Sequence, residues 1–467
     1  MARTKTVALE TLAALGAETL AQLLIAHADT DPVLRKKLVM LLASTEGPGK
    51  LAAEIAKRIK TIGRSRSFVD WEKRKLLVQE LDHLRATIAT RLAAQDRERA
   101  IELLWGFLGI ADTVLERMGD GIGAVEEIFG SAMEDLGRLS ATPPPHNPKA
   151  LAGRVLAYCE RDGVGATDAL IRHMGKALGA AGRTEIRRAA EAALKALPRS
   201  AHSRDWQGEA KRRHFAFRLA LLADLENDAD AYIAAILVGG MENTHGLDVA
   251  ERLIAASRPA EALTWLDKPR RHFEDDDSDD ADTDLRVAAL EAIGRKDDAQ
   301  SVRWRHFERF LSTEHLRAYL KRLSDFEDFE AEQKALEVAA GHKQAERALA
   351  FLLEWRALDR ADRLVRERLD ALDGRLYEIL RAAAEALEEK FPEAASLLYR
   401  RLVESVLDRG SSKQYPYAAR DFQSCTRLAQ HLPASGSIET HAAFVARLQK
   451  VHGRKYGFWG LMEPKGR

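Results

Sequence analysis

The run from Leu253 to Leu266, Leu-Ile-Ala-Ala-Ser-Arg-Pro-Ala-Glu-Ala-Leu-Thr-Trp-Leu, constrains the fold more than any other stretch of this chain. Apolar residues before Ser257 recur at helical spacing. Pro259 fixes φ where a new helix can begin, and Ala260, Leu263 and Leu266 make a second apolar stripe. Two helices packed back to back across a tight turn satisfy that pattern. The same order of Leu, small turn residue, Arg, acid and Ala returns 37 residues later, from Leu290 through Gly294 and Arg295 to Ala299. Fainter echoes follow at Ala331-Glu332, Ala361 to Val365 and Pro392 to Leu398. Repetition at intervals of roughly 30 to 40 residues is the mark of a helical solenoid of the tetratricopeptide or HEAT kind. The expected fold is therefore all-α, stacked helical hairpins with an N-terminal helical region.

Composition agrees with helix nearly everywhere. Ala, Leu, Arg and Glu dominate, aromatic residues are only 6%, and runs of Val, Ile and Thr are few. Lys plus Arg equals Asp plus Glu at 72 each, so no global field draws the chain to nucleic acid or an anionic membrane. Cys159 and Cys425 are too few for a disulfide framework or a cysteine zinc site, and read as core thiols in a reducing compartment. No apolar run reaches the roughly 18 to 20 residues of a membrane span, and Glu10 and Glu18 interrupt any signal-like segment. A cytoplasmic location follows.

Along the chain, Asp31 reads as an N-cap with Pro32 at the first helical position, followed by Leu34, Leu38, Leu41 and Leu42 on one face. Glu46-Gly47-Pro48-Gly49 ends that helix. Gly119-Asp120-Gly121-Ile122-Gly123 follows no strand, so it reads as a turn and not a dinucleotide loop. The three adjacent prolines Pro143, Pro144 and Pro145, within Ala141 to Pro148, mark a spacer. The expected organisation is an N-terminal helical domain over 1–139, a proline-rich linker over 140–149 and a repeat array over 150–467, interrupted by an acidic insertion at 274–284. Like charges predict that this insertion is solvated and mobile.

Several stretches carry a family resemblance: Ala250-Glu251-Arg252-Leu253 through Leu266, Trp304 to Phe310, Leu316 to Leu320, Leu398-Tyr399-Arg400, and the terminal His452-Gly453-Arg454-Lys455-Tyr456-Gly457-Phe458-Trp459. Together they resemble an uncharacterised bacterial family of helical-repeat proteins, a domain of unknown function. They are also similar to the helical region that follows the zinc module of bacterial SWIM zinc-finger proteins. The resemblance covers most of the chain and implies a helical repeat; it implies no reaction. The SWIM module itself, Cys-x-Cys followed by Cys-x-His, is absent from the sequence.

Candidate sites are weak. Lys57, Arg58, Lys60, Arg64, Arg66, Lys73, Arg74 and Lys75 gather around Phe68 and Trp71, and Arg454 and Lys455 lie in the terminal tail; such residues can grip phosphates while an aromatic ring stacks on a base. The competing expectation is a helix pair with its cations outside and Phe68 and Trp71 packed inside. Asp275, Asp277 and Asp279 alternate as EF-hand ligands do, yet Asp280 and Arg286 stand where that loop needs Gly and Glu. No His-x-x-x-His pair signals a helical zinc site. Arg-His-Phe recurs at Arg213-His214-Phe215, Arg271-His272-Phe273 and Arg305-His306-Phe307, expected to share a helix context with Phe buried and Arg exposed. No catalytic motif, cofactor or metal set stands out. The expectation is a non-enzymatic scaffold that holds another protein or a peptide, with nucleic-acid binding through the basic segment and tail as the alternative.

Overall fold

The computed structural model describes residues 8–118, 122–161, 168–197, 206–269, 278–432 and 438–462. Among them the chain is all-α, with no β-strand. It divides into two compact units, Met1–His245 and Gly246–Arg467. Within each unit, helices pack chiefly on their neighbours in the chain, as expected of a repeat architecture. Parts of the glycine turn at 119–121, the second Arg-His-Phe copy and Asp275 and Asp277 lie outside the described residues.

In the first unit, Asp31 caps the helix Pro32–Thr45, its carboxylate accepting from the amides of Val33 at 2.8 Å and Leu34 at 3.1 Å. The face that turns inward differs from the expected one. Met40 and Ala43 are buried, whereas Leu41 and Leu42 are exposed. Residues 38–43 are apolar all round, so the stripe that meets the neighbouring helix is chosen by packing and not by pattern. The next helix, Pro48–Arg64, buries Leu51, Ile55, Ile59 and Ile62 at regular helical intervals.

One core runs from Met40 to Leu222. It includes residues on both sides of the proline-rich 140–149 stretch, which joins helix Gly123–Ala141 to helix Pro148–Cys159. Both of these pack on helix Ala169–Ala196. The approach is close: a Cβ at Gly137 would sit 2.1 Å from the His173 carbonyl oxygen.

A single turn recurs in both units. Asn227, Gly240, Ser257, Gly294 and Arg356 all have positive φ. In each case the following amide donates to the carbonyl five residues back: Asp228 to Ala223, Met241 to Ile236, Arg258 to Leu253, Arg295 to Leu290 and Ala357 to Leu352. This is the Schellman closure, in which a left-handed residue lets the chain satisfy an orphan carbonyl. Asp228, Arg258, Arg295 and Ala357 then serve as the N-cap of the next helix. The residues that supply the carbonyls are buried.

In the second unit the two helices read from the sequence are Glu242–Ala255, whose second part lies in this unit, and Pro259–Leu266, joined by the turn at Ser257. Next, Ser278–Ala292 pairs with Lys296–Phe310, and Ala345–Glu354 pairs with Leu358–Arg368. The later helices Pro392–Arg409, Tyr415–Ala429, His441–His452 and Tyr456–Trp459 close on an aromatic cluster. There Phe422 meets Phe444 at 6.3 Å and Phe458 at 6.0 Å, while Trp459 Nε1 donates to the His452 carbonyl at 3.0 Å. Cys159 and Cys425 are both buried free thiols, and burial pushes Cys425 up to about 12.

The acidic insertion is corrected in part: 274–277 lie outside the described residues, and from Ser278 onward it is helical, the opening turns of Ser278–Ala292, not a loop. Asp280 and Asp284 are exposed, as expected; Asp282 pairs with Arg286 at 2.9 Å, and Asp280 and Asp284 face buried histidines. Acids are also favourable near a helix N-terminus, which offsets the mutual repulsion that predicted a mobile loop.

The turn can be tested at Gly294, where φ is +80° and an added Cβ meets nothing within 4 Å. Gly294→Ala therefore loses stability through backbone strain alone, by about 1 kcal/mol. Gly153→Ala, in a helix with equally open space, gains about 0.5–1 kcal/mol. Denaturant midpoints of the two variants should move in opposite directions.

Candidate functional site

A cleft of about 480 Å³ lies in the second unit, formed by Pro259–Leu266, Ser278–Ala292 and Lys296–Phe310. Its apolar part comes from Leu263, Leu290, Val302 and Phe310; arginines and aspartates surround it. Arg286 ties one wall together. Its guanidinium donates to Asp267 at 2.6 Å, to Asp282 at 2.9 Å and to the Leu266 carbonyl. Burial opposes its charge, but the two carboxylates outweigh that and raise its pKa. Arg295 is held by Asp298 at 2.6 Å. Arg305 is different: it is exposed, and its Nε reaches the Ser301 carbonyl at 3.3 Å. Arg309 lies over the Phe310 ring, 4.6 Å from its centroid. The cleft lining thus combines apolar side chains with four arginines and three aspartates.

Beside it stands a cluster that no sequence motif announced. His306 and His315 are 5% and 6% exposed, and their ring centroids are 4.1 Å apart. His306 Nε2 is 2.7 Å from Asp280 Oδ1. His315 Nε2 faces Asp284 Oδ1 at 3.3 Å without hydrogen-bonding geometry. Each Nδ1 meets a hydroxyl at 2.9 Å, His306 that of Thr283 and His315 that of Ser312. Two helices and the start of a third supply these groups, so neither a short spacing nor a repeat of ligand types could reveal them. The one available signal was Arg305-His306-Phe307. Here Phe307 is buried and Arg305 exposed, as expected, yet His306 is buried as well. In the first copy, His214 is likewise buried, with Nδ1 3.5 Å from Asp168, while Phe215 is only half-buried. The shared element is a buried histidine facing a carboxylate.

The basic segment divides into two groups. Arg58 and Lys36 clasp Glu80, which is 8% exposed; Lys36 Nζ donates at 2.9 Å and Arg58 Nη2 at 2.8 Å. Arg74 Nη2 donates to the Met118 carbonyl at 3.1 Å. These cations hold the fold. Lys57, Lys60 and Arg64 are exposed at helical spacing along Pro48–Arg64, with Arg66 and Lys75 exposed beyond them. Lys73 is exposed too, 2.9 Å from Asp70. Phe68, expected inside, is 67% exposed, because it lies in the loop between two helices whose inward faces are already filled. The side chain of Trp71 lies outside the described ones. In the terminal tail, Arg454 is exposed and Lys455 is the half-buried N-cap of Tyr456–Trp459. The aromatics there are split: Phe458 is fully buried and Tyr456 is 78% exposed.

Fold and site together define an all-α protein of helical hairpins with a charged cleft. Within that class the chain belongs to the family described as "Family of unknown function (DUF6880)", which it matches over residues 2–461. It is also similar to a solved structure titled "Circular tandem repeat protein with novel repeat topology and enhanced subunit contact surfaces". That likeness has 17% sequence identity and a TM-score of 0.20, and it covers 92% of this chain and 98% of that one. No curated protein matches the chain. Among the described residues, no helix is long and apolar enough to cross a membrane.

The division of the basic segment makes a pH prediction. Burial opposes the charge of Glu80, but Arg58 and Lys36 overcome it and leave its pKa below the ordinary carboxylate value. A depressed folded pKa contributes stability that is fully present above the unfolded value of about 4.3, and loses it as pH falls through the lower folded value. Glu80→Gln should therefore cost about 2 kcal/mol at neutral pH. The difference from the parent chain should shrink on acidification below the unfolded value, as followed by denaturant unfolding at several pH values.

Proposed function

We propose that the protein is a non-enzymatic binding scaffold whose second-unit cleft seats a peptide segment bearing an acidic side chain. The observation that carries this reading is that the apolar side chains of Leu263, Leu290, Val302 and Phe310 and the exposed cation Arg305 line the same cleft. A volume of about 480 Å³ suits a few side chains. Walls made of packed helices offer a pre-formed surface, which lowers the ordering cost of binding. Membership of a helical-repeat class adds an associational argument, since such arrays commonly hold other proteins.

A second reading has its own support. Lys57, Lys60 and Arg64 form an exposed stripe, and Phe68 stands exposed close to it in sequence, the combination that grips a backbone and stacks a base. The resemblance to the region behind SWIM zinc modules points the same way. Such binding would weaken steeply with added salt.

The experiment is a selection of displayed peptides against the full chain, followed by affinity measurements on the enriched sequences. Peptides carrying Asp or Glu beside apolar residues should be enriched. Arg305→Glu should weaken them by about tenfold or more, while the triple change Lys57→Glu, Lys60→Glu, Arg64→Glu should leave them unaffected. Enrichment that ignores Arg305, together with salt-sensitive binding of a single-stranded oligonucleotide lost in the triple variant, would replace the first reading with the second.

A further inference from the structure

We propose that Asp280, His306 and His315 form a binding site for a divalent first-row transition metal, zinc being the ion their chemistry fits best. One donor atom from each of the three lies within 4.8 Å of the other two. Tetrahedral ligands at zinc bond lengths stand about 3.3 Å apart, so donors up to 4.8 Å apart draw in by up to about 1.5 Å on binding. Asp280, 61% exposed at the start of Ser278–Ala292, can adjust, whereas both imidazoles are buried.

The surroundings are those of a ligand set. Metal-bound histidines hold their second nitrogen in a hydrogen bond, which orients the ring and sets the tautomer. Here Thr283 Oγ1 and Ser312 Oγ occupy that place at 2.9 Å from Nδ1 of His306 and His315. Each hydroxyl can accept from Nδ1–H, which leaves the Nε2 lone pairs directed at the carboxylates. Among the described residues, the buried Nε2 of His315 has no hydrogen-bond partner. A metal ion would occupy that lone pair. Asp284, one helical turn from Asp280, lies 3.3 Å from His315 Nε2 but outside the set of three.

The donor types select the ion. Imidazole nitrogen with carboxylate oxygen suits zinc and its first-row neighbours, whereas calcium and magnesium prefer an all-oxygen shell. No thiol takes part, since Cys159 and Cys425 are buried elsewhere. A bound ion would fasten the start of Ser278–Ala292 to Lys296–Phe310 and Thr313–Leu320, and so brace one wall of the cleft. The inference stands on this cluster alone and is independent of what the cleft binds.

The test uses the full, tag-free chain stripped with a chelator. Titration with zinc chloride in a calorimeter should show saturable binding at a single site, with a Kd of about 1 µM or tighter. Cobalt(II), used as a spectroscopic probe, should give the visible bands of a low-coordinate nitrogen and oxygen site. His315→Gln and Asp280→Asn should each weaken zinc binding by about tenfold or more, with unchanged far-UV circular dichroism in the metal-free state. Asp280→Asn keeps the test decisive if the buried histidine variant does not fold, because Asp280 is exposed. Absence of saturable zinc binding, or binding that Asp280→Asn leaves unchanged, would overturn the proposal. The carboxylates would then serve only as polar neighbours of the two histidines.

Discussion

A left-handed residue at the end of one helix, followed at once by the N-cap of the next, sets the geometry on which the rest of the chain depends. Helices as short as Pro259–Leu266, with eight residues, are not stable alone. They persist because they pack on neighbouring helices, Pro259–Leu266 on its successor Ser278–Ala292. Backbone strain at a non-glycine αL residue costs about 1–2 kcal/mol. Burial of the leucine whose carbonyl receives the closing bond returns about 1.5–3 kcal/mol. Leu253 and Leu352 are completely buried and Leu290 nearly so. The balance explains why Ser257 and Arg356 are tolerated where Gly240 and Gly294 bear no strain.

The turn at Gly294 also places the functional groups. It returns Lys296–Phe310 along Ser278–Ala292, so that Asp280 and Thr283 on one helix come to face His306 on the other. The same pairing brings Leu290, Val302 and the exposed Arg305 into the lining of the cleft. Cleft and histidine cluster are two products of one hairpin. Arg286 adds a cross-brace by reaching back to the end of Pro259–Leu266.

Helix content and the best hairpins were legible because they rest on local rules: Pro259 at a first helical position, Gly294 at a left-handed end, Asp31 at a cap. Which face turns inward was less legible. The apolar run around Leu41 and Leu42 offered several stripes, and only the neighbouring helices chose among them. The helix that takes up the acidic tract from Ser278 onward is hidden in the sequence, because Arg286, His306 and His315 face its carboxylates only after folding. Likewise the basic segment looked uniform, although Arg58 and Arg74 are spent on Glu80 and the Met118 carbonyl. The histidine cluster was hidden for the same reason: its members meet through tertiary packing, and His315 lies beyond the end of the helix that carries His306.

The most direct measurement is site-resolved hydrogen exchange at the amides of Arg258, Arg295 and Ala357, each of which donates to a carbonyl five residues earlier. If one closing turn organises the second unit, these amides exchange as slowly as those in the middle of the adjoining helices. Exchange at the rate of an open chain, with the helices themselves protected, would contradict the account and leave the hairpins joined by packing alone.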